Sequence, residues 1–180
     1  QAYLSFKKAL SLEPYNTSFN LDMARILLAR GQIQEGLSYI NRAIELKPYD
    51  AGVFIQAAKA HLAVAEHYLS TNDRKNAEEI LQIVLLLEGR MAEYHDNTAA
   101  IAYYLGQAAF LLEDYEKAAH CFTQVVLEDE NYLRSQVYLA VLFEKKGEDK
   151  LAEEIKGSFS ENEEMMALYE KLTNCFNNGR

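Results

Sequence analysis

Apolar residues recur along most of the chain at the three- and four-residue spacing of amphipathic α-helices. Met23, Ala24 and Leu27 illustrate it in one segment, and Ile40 and Ala43 in the next. This spacing places the apolar side chains on one face of a helix. With 8 Gly and 2 Pro in 180 residues, the chain has too few turn residues to punctuate a many-stranded sheet. The pattern therefore predicts an all-α protein.

One apolar pattern repeats at a fixed distance. The segment 6–14 reads Phe-x-x-Ala-Leu-x-Leu-x-Pro, and the segment 40–48, which lies 34 residues later, reads Ile-x-x-Ala-Ile-x-Leu-x-Pro. Ala118 and Ala152 are also 34 residues apart. Pro14 and Pro48 cannot continue a helix, so each is expected to end a unit. The chain is thus predicted to consist of repeated helix pairs.

A 34-residue unit of two amphipathic helices resembles the tetratricopeptide repeat. The residues that match the family pattern best are Tyr104-Leu105-Gly106, Phe110, Ala118 and Phe122. The resemblance implies a right-handed superhelical solenoid of antiparallel helix pairs, and we expect about nine or ten helices. We predict one array over residues 1–180, divided into the second helix of a truncated repeat (1–16), a repeat (17–50), two repeats with insertions (51–90 and 91–132), a further repeat (133–157) and a capping helix (158–180).

Two seven-residue insertions interrupt the 34-residue spacing. Seven residues are about two helical turns, so an insertion can lengthen a helix without rotating its buried face. We expect the first insertion at 64–73, where a helix continues through Tyr68 and protrudes beyond the stack. We expect the second near 89–97, after a helix that ends at Gly89.

The two ends of the chain differ from the repeats. Residues 1–16 lack a partner helix, which suggests a fragment of a longer array. The apolar face of this first helix is expected to be exposed and to favour a homodimer; it contains Leu4, Phe6, Ala9 and Leu10. At the other end, Ser160 and Glu163 form a capping-box pattern that predicts the start of a final helix.

Composition narrows the classes of partner. The chain has 18 Lys and Arg against 27 Asp and Glu, a net charge of −9, which argues against nucleic acid as a partner. The longest apolar stretch, 98–112, is too short to insert into a membrane as a span. Cys121 and Cys175 are far apart in the sequence and predict no disulfide framework. These unpaired cysteines and the absence of a signal in this fragment favour the cytoplasm.

The sequence predicts no enzyme, and we assign no catalytic, cofactor-binding or metal-binding residue. His61 and His67 are six residues apart and do not share a helix face as a metal pair would. His95 and Asp96 are adjacent in the sequence, but this says little about side-chain geometry, and a solvated loop is the simpler interpretation. The chain contains none of the glycine-rich phosphate-binding motifs or the nucleophile-elbow motif.

The resemblance implies a binding surface on the concave side of the array, lined by the first helix of each repeat. Carried onto this sequence, the family's groove positions are occupied by apolar, tyrosyl, amide and cationic residues: Arg25, Ile55, Lys59, Tyr103, Gln107, Arg134 and Tyr138. Several cations on one surface of an acidic protein suit an acidic or extended peptide. The alternative is that some of these residues contact neighbouring helices and that the cations are only solvated.

The sequence therefore favours a non-catalytic scaffold that binds a peptide or helix of a partner protein in its concave groove. Two other functions remain open. The chain is a self-associating structural module, or it is a regulatory array of a larger enzyme whose catalytic domain lies outside this sequence.

Overall fold

A computed structural model describes residues 2–94, 99–125, 129 and 131–178. Within these ranges the chain forms ten α-helices and no strand: α1 (Ala2–Leu12), α2 (Thr17–Ala29), α3 (Ile33–Leu46), α4 (Ala51–Ser70), α5 (Arg74–Ala92), α6 (Ala99–Leu111), α7 (Tyr115–Thr123), α8 (Tyr132–Lys146), α9 (Asp149–Gly157) and α10 (Glu163–Asn178). The predicted fold class, an all-α solenoid of nine or ten helices, is confirmed.

The helices pair in the order in which they occur. α2 packs with α3, α4 with α5, α6 with α7, and α8 with α9. Each pair then contacts the next through α3 and α4, α5 and α6, and α7 and α8. A single helix pair cannot bury all of its apolar surface by itself, so the pairs stack into a continuous array.

Short polar side chains begin several of these helices. The Asn16 carboxamide oxygen accepts a hydrogen bond from the backbone N–H of Phe19 at 3.1 Å, and Asp114 accepts one from Lys117 at 3.1 Å. Such caps satisfy an N–H that has no partner inside the helix. α10 is capped by Asn162, which accepts from the backbone N–H of Met165 at 3.1 Å. The prediction that Ser160 caps this helix is therefore wrong.

One large core runs through the middle of the array, from Ala24 in α2 to Leu142 in α8. Phe54 and Phe122 are among its largest fully buried side chains. Small residues occur where helices approach each other closely, and a Cβ built on Gly36 would lie 2.8 Å from Leu28. Two smaller clusters extend the core at the ends, one between α1 and α2 and one between α8 and α10.

The first insertion lengthens α4, which reaches Ser70 as a helix of 20 residues. Val64 and Ala65 are buried in the large core, so the beginning of the added segment packs within the stack. Residues 70–72 are all exposed, and Asn72 turns the chain there with a φ of +60°. The protrusion expected over 64–73 is thus confined to the tip of this helix pair.

The second insertion differs from its prediction. α5 continues through Gly89 to Ala92, because Leu87 and Met91 are each 1% exposed and anchor the added turn in the core. Gly89 does not end the helix, whereas Gly147 follows α8 in the left-handed conformation typical of a C-terminal cap, with a φ of +78°. Residues 95–97 of the predicted insertion lie outside the described residues.

α1 packs on α2 through much of the apolar face that was expected to be exposed. Phe6 makes an edge-to-face contact with Phe19 at a centroid distance of 6.3 Å, and Leu10 is buried against Met23. Leu4 and Leu12 stay 68% and 75% exposed. The apolar surface left for a homodimer is therefore smaller than the sequence suggested.

Candidate functional site

A groove of about 720 Å³ lies between α2 and α4. The two helices meet at few points, whereas α4 packs along α6, so the space between α2 and α4 is left open. α3 lies beneath it and contributes Ile33 and Ile40 to the lining, while α2 contributes Leu21 and Leu28. The walls are largely apolar and open to solvent, which suits the burial of apolar side chains from a ligand.

Cationic side chains stand at the edge of this groove. Arg25 projects from α2, with its side chain 79% exposed, and forms an ion pair with Asp22 at 3.0 Å. Lys59 projects from α4, with its Nζ 5.4 Å from the centre of the Tyr104 ring. The imidazole of His67 also lines the groove, near the end of α4. The groove therefore combines apolar walls with a mainly cationic edge.

A second, smaller cavity of about 490 Å³ continues from Lys59 toward the C-terminal end of the array. Its lining is more polar than that of the groove and includes Tyr103 and Gln107 from α6 and Arg134 from α8. Glu164 at the start of α10 forms part of its wall. Lys59 lines both cavities, so the two lie next to each other.

The tyrosines of this region are held in a packed aromatic cluster. Tyr138 is 8% exposed and stacks on Phe122 at a centroid distance of 4.6 Å, and its hydroxyl oxygen accepts a hydrogen bond from Gln107 at 3.3 Å. Tyr103 is 6% exposed, and burial raises the pKa of its hydroxyl far above the ordinary value. Tyr103 therefore lines the second cavity as a rigid, neutral surface, whereas Tyr138 is packed behind it in the core and not exposed to a ligand.

Arg134 is held by the C-terminal helix. Its guanidinium donates to the Glu164 carboxylate at 2.7 Å. This contact raises the pKa of Arg134 further, because the carboxylate stabilises the charged form. A ligand that is to use the charge of Arg134 would have to compete with Glu164.

The structure therefore distributes the seven predicted groove residues over three environments. Arg25 and Lys59 stand at the groove, and Lys59, Tyr103, Gln107 and Arg134 line the second cavity. Ile55 packs half-buried against the large core, and Tyr138 belongs to that core. Their assignment to a ligand stays a prediction.

Several groove residues were missed by the sequence analysis. Ala63 and His67 line the groove from the C-terminal half of α4, one and two turns beyond Lys59. The groove positions carried over from the family end at Lys59 on α4. They therefore do not include residues farther along this helix. The spacing of Gln56, Ala60, Ala63 and His67 follows one helix face and was a usable signal.

Reactive side chains in the described residues are buried or dispersed. His61 is 1% exposed, and its Nδ1 lies 2.7 Å from the carbonyl oxygen of Ala57. Burial lowers the pKa of His61 and raises the pKa of the Cys121 thiol to about 11. No three metal-ligating side chains come together among the residues that the structure describes. His95 and Asp96 lie outside those residues.

A search for a membrane span gives a negative result for the same part of the chain. None of its helices combines sufficient length with sufficient apolar character to cross a bilayer.

Comparison with known proteins finds similarity at the level of structure. No family model matches the sequence, and no curated protein matches it either. A thermophilic tetratricopeptide-repeat protein of Thermus thermophilus, TTC0263, is 19% identical, with a TM-score of 0.66 over 94% of this chain and 87% of that one. MamA from Desulfovibrio magneticus RS-1 is 17% identical, with a TM-score of 0.66 over 90% of this chain and 84% of its own.

A further solved structure, YrrB, is described as a tetratricopeptide-repeat protein with an unusual peptide-binding site. It is 16% identical, with a TM-score of 0.59 over 97% of this chain and 84% of its own. At these identities the similarity concerns the fold, and it covers nearly the whole chain. The helix pairs, their stacking and these structural neighbours together show that the chain is a tetratricopeptide-repeat-like solenoid, as its 34-residue spacing predicted.

Proposed function

We propose that the chain is a non-catalytic scaffold that binds a peptide or helix of a partner protein in the groove between α2 and α4. The observation that carries the proposal is the groove itself: an open cavity of about 720 Å³ with apolar walls and a cationic edge. Cavities of this size that combine apolar walls with a few charged groups are typical of ligand sites.

The apolar walls would supply affinity, and the edge would supply orientation. Leu21, Leu28 and Ile33 are half-buried, so a ligand side chain that covers them removes further apolar surface from water. Arg25 and Lys59 stand on opposite sides of the groove and would engage polar or acidic groups of the same ligand. The description of YrrB as a peptide-binding protein supports a peptide ligand for this fold.

A substitution that fills the groove tests the proposal. Ala63 is exposed on the groove wall, and Ala63→Trp would occupy the space without disturbing the core. We expect peptides selected from a random library against the wild-type chain to bind this variant at least about tenfold more weakly, because well-packed aromatic anchors lose their pocket. The measurement is fluorescence anisotropy with labelled peptides.

The matched control is Ala92→Trp, which adds the same side chain at an exposed position on α5, away from the groove. Circular dichroism establishes that both variants are folded. The proposal fails if the selected peptides bind Ala63→Trp as tightly as they bind Ala92→Trp and the wild type.

Self-association is a second candidate function, and the exposure of Leu4 and Leu12 on α1 favours it. These two apolar side chains lie outside the contact with α2, so a second copy would bury them. A sedimentation coefficient that rises with protein concentration would support this function. A regulatory array within a larger enzyme remains a prediction that needs the full-length sequence.

A further inference from the structure

The C-terminal helix α10 covers the inner face of α8. Val137 and Val141 of α8 are buried beneath Met165 and Tyr169 of α10. The ion pair between Arg134 and Glu164 joins the starts of the two helices. Because the start of α10 also lines the second cavity, it lies on the same inner surface as Lys59 and Tyr103.

This packing differs from that of the helix pairs earlier in the array. α4, α6 and α8 each contact the second helix of the preceding pair, which is α3, α5 and α7 respectively. α10 instead packs mainly on α8. Lys156 of α9 reaches it through the Tyr169 ring, at 4.8 Å from the ring centre. α10 therefore packs on α8 much more extensively than α4 packs on α2, where the groove is left open.

The helix that occupies this surface has a definite chemical character. Its first turn contains Glu163 and Glu164, beginning after the Asn162 cap. Its buried side is formed by Met165, Tyr169 and Leu172, spaced four and three residues apart. It is thus an amphipathic helix with an acidic N-terminal turn, the arrangement by which helices commonly bind hydrophobic grooves.

The groove between α2 and α4 offers matching chemistry that nothing in the described chain covers. Its walls are apolar, and the two cations Arg25 and Lys59 outnumber the single carboxylate Asp22 among its charged side chains. The whole chain has a net charge of −9, so this local balance is opposite to the overall one. An acidic ligand would be repelled by most of the surface and attracted to this groove.

We propose that this groove binds an amphipathic helix of a partner protein, with acidic residues in the first turn of that helix. The proposal rests on the proposed function and specifies its ligand: α10 on α8 is the chain's own example of the complex. In this complex Arg25 and Lys59 bind the acidic first turn of the partner helix, as Arg134 binds Glu164. The apolar walls of the groove contact partner side chains that have the four-residue spacing of Met165 and Tyr169.

A peptide of residues 162–178 with Cys175→Ser and an N-terminal fluorophore is a direct probe of this ligand class. We expect it to bind the full chain, to bind Ala63→Trp at least tenfold more weakly, and to bind Ala92→Trp within about twofold of the wild type. A peptide with Leu168→Pro, which cannot form the helix, is expected to lose binding at least tenfold.

Charge reversal tests the polarity of the complex. The double variant Arg25→Glu with Lys59→Glu is expected to bind the peptide at least tenfold more weakly than the wild type. The control is Lys75→Glu with Lys150→Glu, which changes the net charge equally at exposed sites on α5 and α9. We expect this control to bind the peptide within about threefold of the wild type. A peptide with Glu163→Lys and Glu164→Lys should regain affinity for the first variant and lose it for the wild type.

Each contrary result has a distinct meaning. Equal binding of the Leu168→Pro peptide would show an extended ligand and overturn the helix. If the peptide binds Ala63→Trp as tightly as it binds the wild type, the peptide displaces the chain's own α10 from α8, and the assignment to this groove is overturned. Concentration-dependent dimerisation that Ala63→Trp abolishes would identify the occupant as a second copy and overturn the partner helix. If library peptides still bind through the groove while this probe does not, the further inference fails and the proposed function stands.

Discussion

Gly106 determines how closely α6 and α7 approach each other. A Cβ built on this residue would lie 2.7 Å from the ring of Phe122. That ring is fully buried and stacked on Tyr138, so it has no space into which to move. Glycine is therefore required here for close packing and not for an unusual backbone conformation.

We expect Gly106→Ala to lower the free energy of unfolding by about 1–3 kcal/mol, because the added methyl group overpacks the core. Gly89 is the matched control, since it also lies inside a helix but a Cβ on it would meet nothing within 4 Å. Gly89→Ala should raise the free energy by about 0.5–1 kcal/mol through helix propensity. Urea denaturation followed by circular dichroism measures both, and equal effects of the two substitutions would contradict this interpretation.

Individual residues also show how far the sequence could predict the structure. The 34-residue spacing located the small core residues correctly, and Ala24, Ala43, Ala118 and Ala152 are all buried. The spacing did not predict where helix α5 ends, because that position depends on tertiary contacts. Gly89 was expected to end a helix, but Leu87 and Met91 find buried positions that favour another turn, and no local pattern reports such a position.

Among the elements, α10 departs most from the arrangement of the other helices. Its start is fixed by the Arg134–Glu164 pair, and its middle by Tyr169, whose hydroxyl donates to the Glu144 carboxylate. Both contacts join residues about 25–30 positions apart in the sequence. Local periodicity predicted that a helix is present here but could not predict which face of α8 it covers.

A double-mutant cycle on Arg134 and Glu164 tests this placement. Arg134→Glu should lower the free energy of unfolding by about 1 kcal/mol, because two carboxylates would then face each other at a partly exposed site. Combining it with Glu164→Arg restores opposite charges and should recover most of the loss, with a coupling of about 0.2–1 kcal/mol. Urea titrations at low ionic strength measure the four proteins.

The same two substitutions made at a pair on one helix serve as the control. Arg25 and Asp22 form an ion pair at 3.0 Å within α2, so reversing them reports on charge within one helix and not on the docking of a separate element. A coupling between Arg134 and Glu164 that is zero at low salt would contradict the arrangement of α10 described above.

At the scale of the whole molecule, stability is expected to be uneven. The large core joins α2 to α8, whereas α1 and α10 are attached through smaller clusters of their own. In a solenoid each unit is stabilised by its neighbours. Within the described residues α1 packs mainly on α2 and α10 mainly on α8, whereas α4 and α6 each pack on several helices. The ends should therefore open more readily than the middle.

Hydrogen exchange of the native chain measures this difference. We expect the amides of α4 and α6 to exchange at least about a hundredfold more slowly than those of α1 and α10, because local opening of a terminal helix exposes less apolar surface. Exchange of α1 as slow as that of α4 would show that the smaller cluster around Leu10 is as stabilising as the large core.

The position of Lys59 on both cavities has a consequence for how ligands would add together. A carboxylate that neutralises its ammonium group from one side changes the electrostatic potential on the other side as well. Two acidic segments, one in each cavity, would then both interact with the single charge of Lys59. The free energy gained when both bind together would be smaller than the sum of the free energies gained when each binds alone. A bivalent partner should accordingly show negative cooperativity centred on this one side chain.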